Sequence, residues 1–357
     1  MKLTINTQVL QRLVSKAVRG VSNNKMIPIT CMIGIKSFKT GFSLTTTDAS
    51  NYLYVEDEVA TDEDFEVTVY ADVFAKLISR MTCDNITLEL KENYLEVVGN
   101  GTYKVELPFD ENGKPIKFPM PISEHAVYED VTQIQRSTIE VVINSVKPAL
   151  ATTLENPQYT AYWVGDSVIA TDSYKISAYK VPVFDTPVLI SAEAMELLSL
   201  MESETVDVSK VGDYLIFSDA NTIVYTKPVA GLTDYSIDAI KGLIDMEFDS
   251  SCEVSQTVLL QLLDRLSLFV KPFDDGNINL TFTKTGLVVT SMADSGSELI
   301  PYMTTDNFKE FHCSIDINLL QTQVKSNMSE AVKISFGKDS CIKIADGTIT
   351  KVIALNE

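Results

Sequence analysis

One succession of elements recurs three times along this chain, and that repetition limits the possible folds more than any other feature. A helical segment leads into short strands, a strand–turn–strand unit, a second helical segment and three further strands. The turns read SLTTTDASNYLYV, VIATDSYKISAYK and, more loosely, LVVTSMADSGSELIPY. Helix starts near residues 7, 137 and 255 set a period of about 120 residues, which means tandem domains rather than a solenoid of short repeats. Boundaries at 1–123, 124–246 and 247–357 follow. The first is marked by Pro108 to Pro121, a stretch rich in Pro, Gly, Asp and Lys. A length of 357 residues is also too great for one ordinary core. Two helices and about eight short strands per unit pack naturally as helices on one face of antiparallel sheet, an α+β design.

The opening helix, expected over Thr7 to Val21, carries Leu10, Leu13, Val14, Ala17, Val18 and Val21 on one apolar face. Arg12, Lys16 and Arg19 fall at i, i+4 and i+7 on the opposite side. Further helices are expected over 71–81, where Lys76 and Arg80 share a face, and over 137–147, 191–202, 255–271 and 316–327. These six segments hold nine cationic against seven acidic side chains, a net of +2, while the whole chain carries −20. A uniformly acidic surface repels nucleic acid, so such a role requires cations gathered on one side. If the six helices share a side, that side is near neutral to basic. It can then hold a polyanion weakly, without sequence preference, in a way that permits sliding. The segment 191–202 runs against the pattern with Glu193, Glu196 and Glu202.

Other function classes find little material. The five cysteines (Cys31, Cys83, Cys252, Cys313 and Cys341) make no CxxC pair, which argues against a zinc ribbon or a disulfide framework and suits a reducing cytoplasm. MKLTINTQVL has no apolar signal-peptide core, and no apolar run approaches the length of a membrane span. A soluble cytoplasmic protein is expected. There is no GxxxxGK[ST], GxSxG or HExxH, and histidine is limited to His125 and His312. Asp48 and Asp172 each follow Thr in equivalent turns and read as Asx-type turn caps. The clusters Glu56-Asp57-Glu58 and Asp274-Asp275 lack the spacing of a cation-binding loop. Binding without catalysis, cofactor or metal is the economical expectation.

The tripled unit, the opening helix followed by SNNKMIPI, the IATDSYKIS turn and the KVIAL tail together resemble the bacterial DNA polymerase III beta subunit, the sliding clamp family. The resemblance covers essentially the whole chain, and its divergence suits a phage- or mobile-element-borne version. It implies the DNA clamp fold and a ring-shaped, head-to-tail homodimer whose helices line a hole for duplex DNA. It also implies that the ring tethers the replicative polymerase, the clamp loader and other clamp-binding-motif proteins. Arg12, Lys16, Arg19, Lys25, Lys76, Arg80, Lys147, Arg265, Lys271 and Lys325 then become candidates for phosphate contact. Lys25 matches a family arginine, and Gln158 lies in a loop that reaches DNA in relatives.

The resemblance further implies a hydrophobic pocket between the second and third domains that receives short linear peptides. The matching positions are Tyr159, Thr171, Ser173, Tyr174, Lys175, Ile176, Thr233, Ile237, Val352, Ile353, Ala354 and Leu355. Ser173 replaces a family glycine, Tyr174 a histidine, Thr233 and Ala354 prolines, and Ile237 an arginine, which alters the preferred peptide more than the pocket itself. The dimer contact in relatives joins the first domain to the third; Tyr103 and Val105 lie on the strand that would pair there, and Leu268 and Phe269 add apolar bulk to the third-domain helix. The competing reading is a repeat-built structural protein, such as a virion component, that only assembles.

Overall fold

Asn6 ends strand β1 (Lys2–Asn6) and caps helix α1 (Thr7–Ala17): its side-chain oxygen accepts from the backbone N–H of Gln8 and Val9. Leu10, Leu13, Val14 and Ala17 bury one helix face, while Val18 to Gly20 tighten into a 3-10 turn that ends the helix before Val21. The computed structural model describes residues 2–356 except 23, 25, 40, 60–63, 123–125, 271–275, 294 and 303–307.

The same succession then runs three times. The first round continues with β2 (Met32–Phe38), β3 (Gly41–Thr47), β4 (Asn51–Asp57), β5 (Phe65–Tyr70), α2 (Ala71–Ser79), β6 (Asn85–Leu90), β7 (Tyr94–Val98) and β8 (Thr102–Glu106). The second comprises β9 (Glu129–Gln135), α3 (Arg136–Val141), β10 (Ala161–Val164), β11 (Val168–Thr171), β12 (Lys175–Tyr179), β13 (Val188–Ser191), α4 (Ala192–Leu198), β14 (Thr205–Val211), β15 (Tyr214–Ser218) and β16 (Thr222–Thr226). A connecting helix α5 (Ile237–Ile244) precedes the third. That round has β17 (Ser250–Ser255), α6 (Gln256–Ser267), β18 (Asn277–Phe282), β19 (Gly286–Ser291), β20 (Ser297–Pro301), β21 (Phe311–Asp316), α7 (Ile317–Lys325), β22 (Ala331–Phe336), β23 (Cys341–Asp346) and β24 (Ile349–Ala354).

Several expected boundaries move. The helix expected over 137–147 is one short α-helical stretch that passes into a π-turn over Val142–Val146 and a 3-10 turn over Lys147–Ala149, because Pro148 cannot continue the ladder. Strand β2 begins only at Met32, since Pro28 starts a 3-10 turn over Pro28–Cys31 ahead of it. Strand β9 and helix α5 went unforeseen. β9 is polar and mostly exposed and so shows no apolar alternation, while α5 spaces Ile237, Ile240, Leu243 and Ile244 as a helix does but is only eight residues long, short of the run by which a helix is read from periodicity.

Contacts divide the chain into two compact units, residues 1–136 with 193–228, and residues 137–192 with 229–357. In the first, an eight-stranded antiparallel sheet runs β5-β2-β3-β4-β16-β15-β14-β9, beside a four-stranded sheet β1-β6-β7-β8. Its sheet halves meet at β4 and β16, with Asn51 opposite Thr226 and Val55 opposite Thr222. In the second unit an eight-stranded sheet runs β13-β10-β11-β12-β24-β23-β22-β17, beside a four-stranded sheet β20-β19-β18-β21. There β12 meets β24, with Lys175 opposite Ile353 and Tyr179 opposite Ile349.

Helices seal the sheets in each unit. Gln11 on α1 donates to the carbonyls of Ile78 and Met81 at the end of α2, and Gln256 on α6 donates to those of Val324 and Asn327 at the end of α7, both pairs at 2.8–3.0 Å. These bonds satisfy carbonyls that a helix C-terminus leaves open. The core beneath α6 and α7 includes Leu259, Leu262, Leu263, Leu320, Val324, Phe282 and Phe336, the two rings stacked with centroids 3.9 Å apart. Each fully buried leucine of this kind contributes about 1.5–3 kcal/mol.

Candidate nucleic-acid surface, peptide groove and open sheet edges

The amphipathic period of α1, carried on into the 3-10 turn that ends it, directs Arg12, Lys16 and Arg19 (together the α1 stripe) away from the core, and each meets a carboxylate from elsewhere in its unit. Arg12 pairs with Asp57 at the end of β4. Lys16 Nζ lies 3.0 Å from Glu202 Oε1, and Arg19 Nη2 lies 3.6 Å from Glu196 Oε2 on α4. The acidic segment 191–202, which ran against the charge pattern, thus supplies partners to the cationic one. Glu202 is itself held in place: Asp219 Oδ2 accepts from the backbone N–H of Glu202 at 2.6 Å and of Ser203 at 3.2 Å. Burial acts to raise the Asp219 carboxyl, but the N–H groups of Glu202, Asn221 and Ser203, with Lys16 nearby, outweigh it and hold the pKa below the usual range. Arg136 Nη1 donates to the Glu202 carbonyl at 3.3 Å. This cation joins the same surface, and the sequence reading missed it because it stands outside any amphipathic run.

The other cationic candidates are distributed as follows. Lys76 is exposed on α2 and pairs with Asp72 one turn earlier; Arg80 is exposed at the α2 C-cap. Lys147 and Gln158 are half-buried in 3-10 turns of the second unit, Gln158 backing onto Gly231. Lys325 is exposed in the last turn of α7, where a cation also suits the helix dipole. Arg265 forms a two-pronged pair with Glu298 on β20, at 2.8 and 2.6 Å, which holds the Glu298 carboxyl below its ordinary pKa. Lys25 and Lys271, like His125 and Asp274-Asp275, lie outside the described residues.

In the second unit a tight turn leads into the strand that meets β24. Thr171 Oγ1 accepts from the Ser173 N–H and donates to the Lys175 carbonyl, while Asp172 Oδ1 accepts from the N–H of Tyr174 and Lys175. Lys175 Nζ also donates to Asp172 Oδ2 at 2.7 Å. Ser173 is left with φ of 80°, where a glycine would be unstrained. The turn is anchored to the chain end by the Ala354 N–H, which donates to the Tyr174 carbonyl at 2.8 Å. The first unit repeats this geometry with Thr47, Asp48 and Asn51, and Ala49 takes φ of 85°. Both aspartates therefore cap Asx turns. In the third round Ser291 Oγ does the same work, accepting from the N–H of Ser295 and Gly296.

Around that turn Ile176 and Val352 lie in one apolar cluster with Trp163, Ile169, Leu189, Tyr235 and Ile240, and half-buried Tyr159 and Ile237 pack against it. Tyr159 meets Tyr235 edge-on with centroids 5.2 Å apart. Tyr235, absent from the expected set, buries its ring and donates from its hydroxyl to the Ile169 carbonyl; burial pushes its pKa up. Thr233 is exposed in the 3-10 turn Leu232–Asp234, and Tyr174 stands 65% exposed above the turn. Strand alternation sends Ile353 the other way, fully buried with the core beneath α6 and α7, and Leu355 packs against that core too. Val352 and Ala354 face the cluster side. Helix α5 is pinned at its end by Lys343 Nζ, which donates to the carbonyls of Ile244 and Met246. Lys241 on the same helix pairs with Asp166 and lies 4.7 Å over the Trp163 ring.

Among the described residues, two terminal strands correspond by the repeat to the strands that join half-sheets elsewhere, yet end their own sheets. β8 ends one four-stranded sheet, with Tyr103 exposed and Val105 turned into the core. β20 ends the other. Near it stand Leu268, 82% exposed just beyond α6, and Phe269, against which a side chain at Gly296 would press.

Reactive chemistry is sparse among the described residues. Burial pushes the Cys252 and Cys313 thiols up to about 12, so neither is a thiolate at neutral pH. No group of three or more His, Cys, Asp and Glu side chains among them is placed to hold a metal ion. No helix among them is long and apolar enough to cross a membrane.

Among the described residues, eight strands and two helices repeat three times, with half-sheets merged into eight-stranded sheets, and this arrangement is the DNA clamp fold. Residues 1–113 match the family model described as the N-terminal domain of the DNA polymerase III beta subunit. No curated protein sequence matches significantly. Among solved structures, the beta subunit from Streptococcus pyogenes superposes with a TM-score of 0.87 at 18% identity, covering 100% of both chains. The DNA polymerase sliding clamp from Bacillus subtilis gives 0.84 at 19% identity, over 100% of this chain and 99% of that one. The sliding clamp from Bartonella birtlesii, solved bound to griselimycin, gives 0.86 at 15% identity over 100% of both chains.

Proposed function

We infer that the protein is a DNA sliding clamp: a non-enzymatic ring that encircles duplex DNA and tethers a replicative polymerase and other partners. The observation that carries this reading is the leftover half-sheets. Within each unit, half a sheet from one round joins half from the next, through β4 with β16 and β12 with β24. The half-sheet of the first round ending in β8 and that of the third ending in β20 have no such partner among the described residues. A second copy supplies both, β8 of one against β20 of the other. Two identical junctions then close six repeats into a ring by twofold symmetry. The three domains in this reading are 1–123, 124–246 and 247–357.

Arg12, Lys16, Arg19, Lys76, Arg80, Lys147, Gln158, Arg265 and Lys325 are the described candidates for contact with the duplex, by charge and hydrogen bonding to phosphates rather than bases. Tyr159, Thr171, Ser173, Tyr174, Lys175, Ile176, Thr233, Ile237, Val352 and Ala354 are the proposed lining of a peptide groove; the apolar cluster of Ile176, Val352 and Tyr235 beside a few polar groups supports this reading, since such a surface suits the anchor residues of a short peptide. Ile353 and Leu355 support it from the core side. Size measurement with low-resolution imaging tests the reading. The expected result is a dimeric annulus with a hole of duplex width, retained on nicked circular DNA and lost when the circle is cut. A monomer that leaves circles and linear fragments at the same rate would overturn it.

A further inference from the structure

We propose that Asp57, Glu196 and Glu202 are specificity-determining residues of the DNA surface: they occupy the cations of α1 in place of phosphate, so that duplex DNA must displace protein carboxylates to engage them. The proposal rests on the sliding-clamp reading. Every cation of the α1 stripe is paired, and every partner comes from a distant part of its unit: Arg12 with Asp57, Lys16 with Glu202, Arg19 with Glu196. These are not chance neighbours on one helix. The Glu202 backbone is gripped from two directions, by Asp219 at its N–H and by Arg136 at its carbonyl, which sets its carboxylate against Lys16. The Lys16 side chain is only 12% exposed, its stem packed against protein, which restricts where its ammonium can reach and holds it beside that carboxylate.

The consequence lies in the counterions. Free cations on a DNA surface make phosphates release condensed salt ions, and each neutralised phosphate adds about −0.9 to the slope of log K against log salt. A cation already matched by a carboxylate gives little net gain when a phosphate replaces that carboxylate. The surface is thereby kept weakly attractive despite its cations, as a ring that must travel along DNA requires. It also disfavours binding to DNA that is not encircled, where no topological link compensates for weak contacts.

The test compares the full-length protein with Asp57→Asn/Glu196→Gln/Glu202→Gln, and with a control that removes the same charge from exposed loop acids, Glu92→Gln/Glu111→Gln/Asp213→Asn. Affinity for a short linear duplex is read by fluorescence anisotropy across a salt series. The first variant is expected to bind at least tenfold more tightly at low salt, with a slope steeper by about two to three units. The control is expected to follow the wild type. Equal gains in both variants would reduce the effect to net charge and overturn the proposal, as would no gain in either. Glu202→Gln alone, expected to give about a third of the slope change, keeps the test open if the triple variant folds poorly. Retention of the wild type on nicked circles, measured alongside, separates the two levels. Retained wild type with unresponsive variants defeats this proposal alone, whereas unretained wild type defeats the clamp reading beneath it.

Discussion

Lys351 Nζ donates to the carbonyl of Gln323 at 2.9 Å and to Ser326 Oγ at 2.9 Å, from a side chain with no solvent exposure. The lysine sits on β24 where that strand pairs with β12, and it closes the C-terminal end of α7. Burial lowers its pKa to about 8 from the ordinary 10.5, partly offset by Asp346. The folded state therefore sheds this proton before the unfolded state does. Between about pH 8 and 10.5 the unfolded chain binds more protons, so this residue's contribution to stability rises with pH, by up to roughly 3 kcal/mol. Denaturant midpoints measured from pH 7 to 10.5 should show the rise, and Lys351→Met should flatten it.

Ala49 and Ser173 hold positive φ in equivalent turns, at 85° and 80°. Neither side chain is needed for the turn, whose bonds come from Thr47 with Asp48 and Thr171 with Asp172. Replacing either by glycine should stabilise the fold by about 0.5–1 kcal/mol, the relieved left-handed strain exceeding the added freedom of the unfolded chain. Thermal melts of Ala49→Gly and Ser173→Gly check this.

The internal junctions set the register of the proposed dimer. Lys104 holds in β8 the place that Tyr225 holds in β16 and Val352 in β24, counted from the hairpin turns. Ser297 likewise corresponds to Tyr52 and Ile176, and Tyr225 pairs with Tyr52 as Val352 pairs with Ile176. Lys104→Cys with Ser297→Cys should therefore cross-link two copies into a covalent circle under oxidation. Conversely, Leu268→Glu/Phe269→Glu should halve the sedimenting mass while leaving the melting temperature of each copy nearly unchanged.

In the proposed groove, Tyr174 is exposed and Ile237 only half-buried at the margin of the Tyr235 cluster, so neither fills a core. Tyr174→Ala/Ile237→Asp should weaken a polymerase-derived clamp-binding peptide by tenfold or more in calorimetric titration, with the circular dichroism spectrum preserved. Truncation before Ile353 is a poorer probe, because that residue fills the core beneath α6 and α7 and pairs with both Lys175 and Ile342. Its loss should cost several kcal/mol of stability, about 2–5 for a residue of this size.

Charge reversal of the α1 stripe, Arg12→Glu/Lys16→Glu/Arg19→Glu, should shorten retention on nicked circular DNA at least tenfold. The new carboxylates would also face Asp57, Glu202 and Glu196. An accompanying loss of about 1 kcal/mol in stability is expected from like charges on the surface, and chemical denaturation would separate it from the DNA effect.

The sequence alone determined what depends on neighbours a few residues apart. The threefold period, the apolar face of α1 and the cation stripe opposite follow from helical geometry, and the Asx turns at Asp48 and Asp172 close within four residues of chain. What it could not determine was which distant groups would meet. That Lys16 finds Glu202 across 186 residues, that β4 ends against β16, and that Ile353 turns inward while Val352 faces the cluster with Tyr159 were decided by tertiary packing. The physical reason is one of range. Helix and turn preferences act through bonds along the chain, whereas the partner of a charge or the neighbour of a strand edge is chosen only when burial has brought remote segments together.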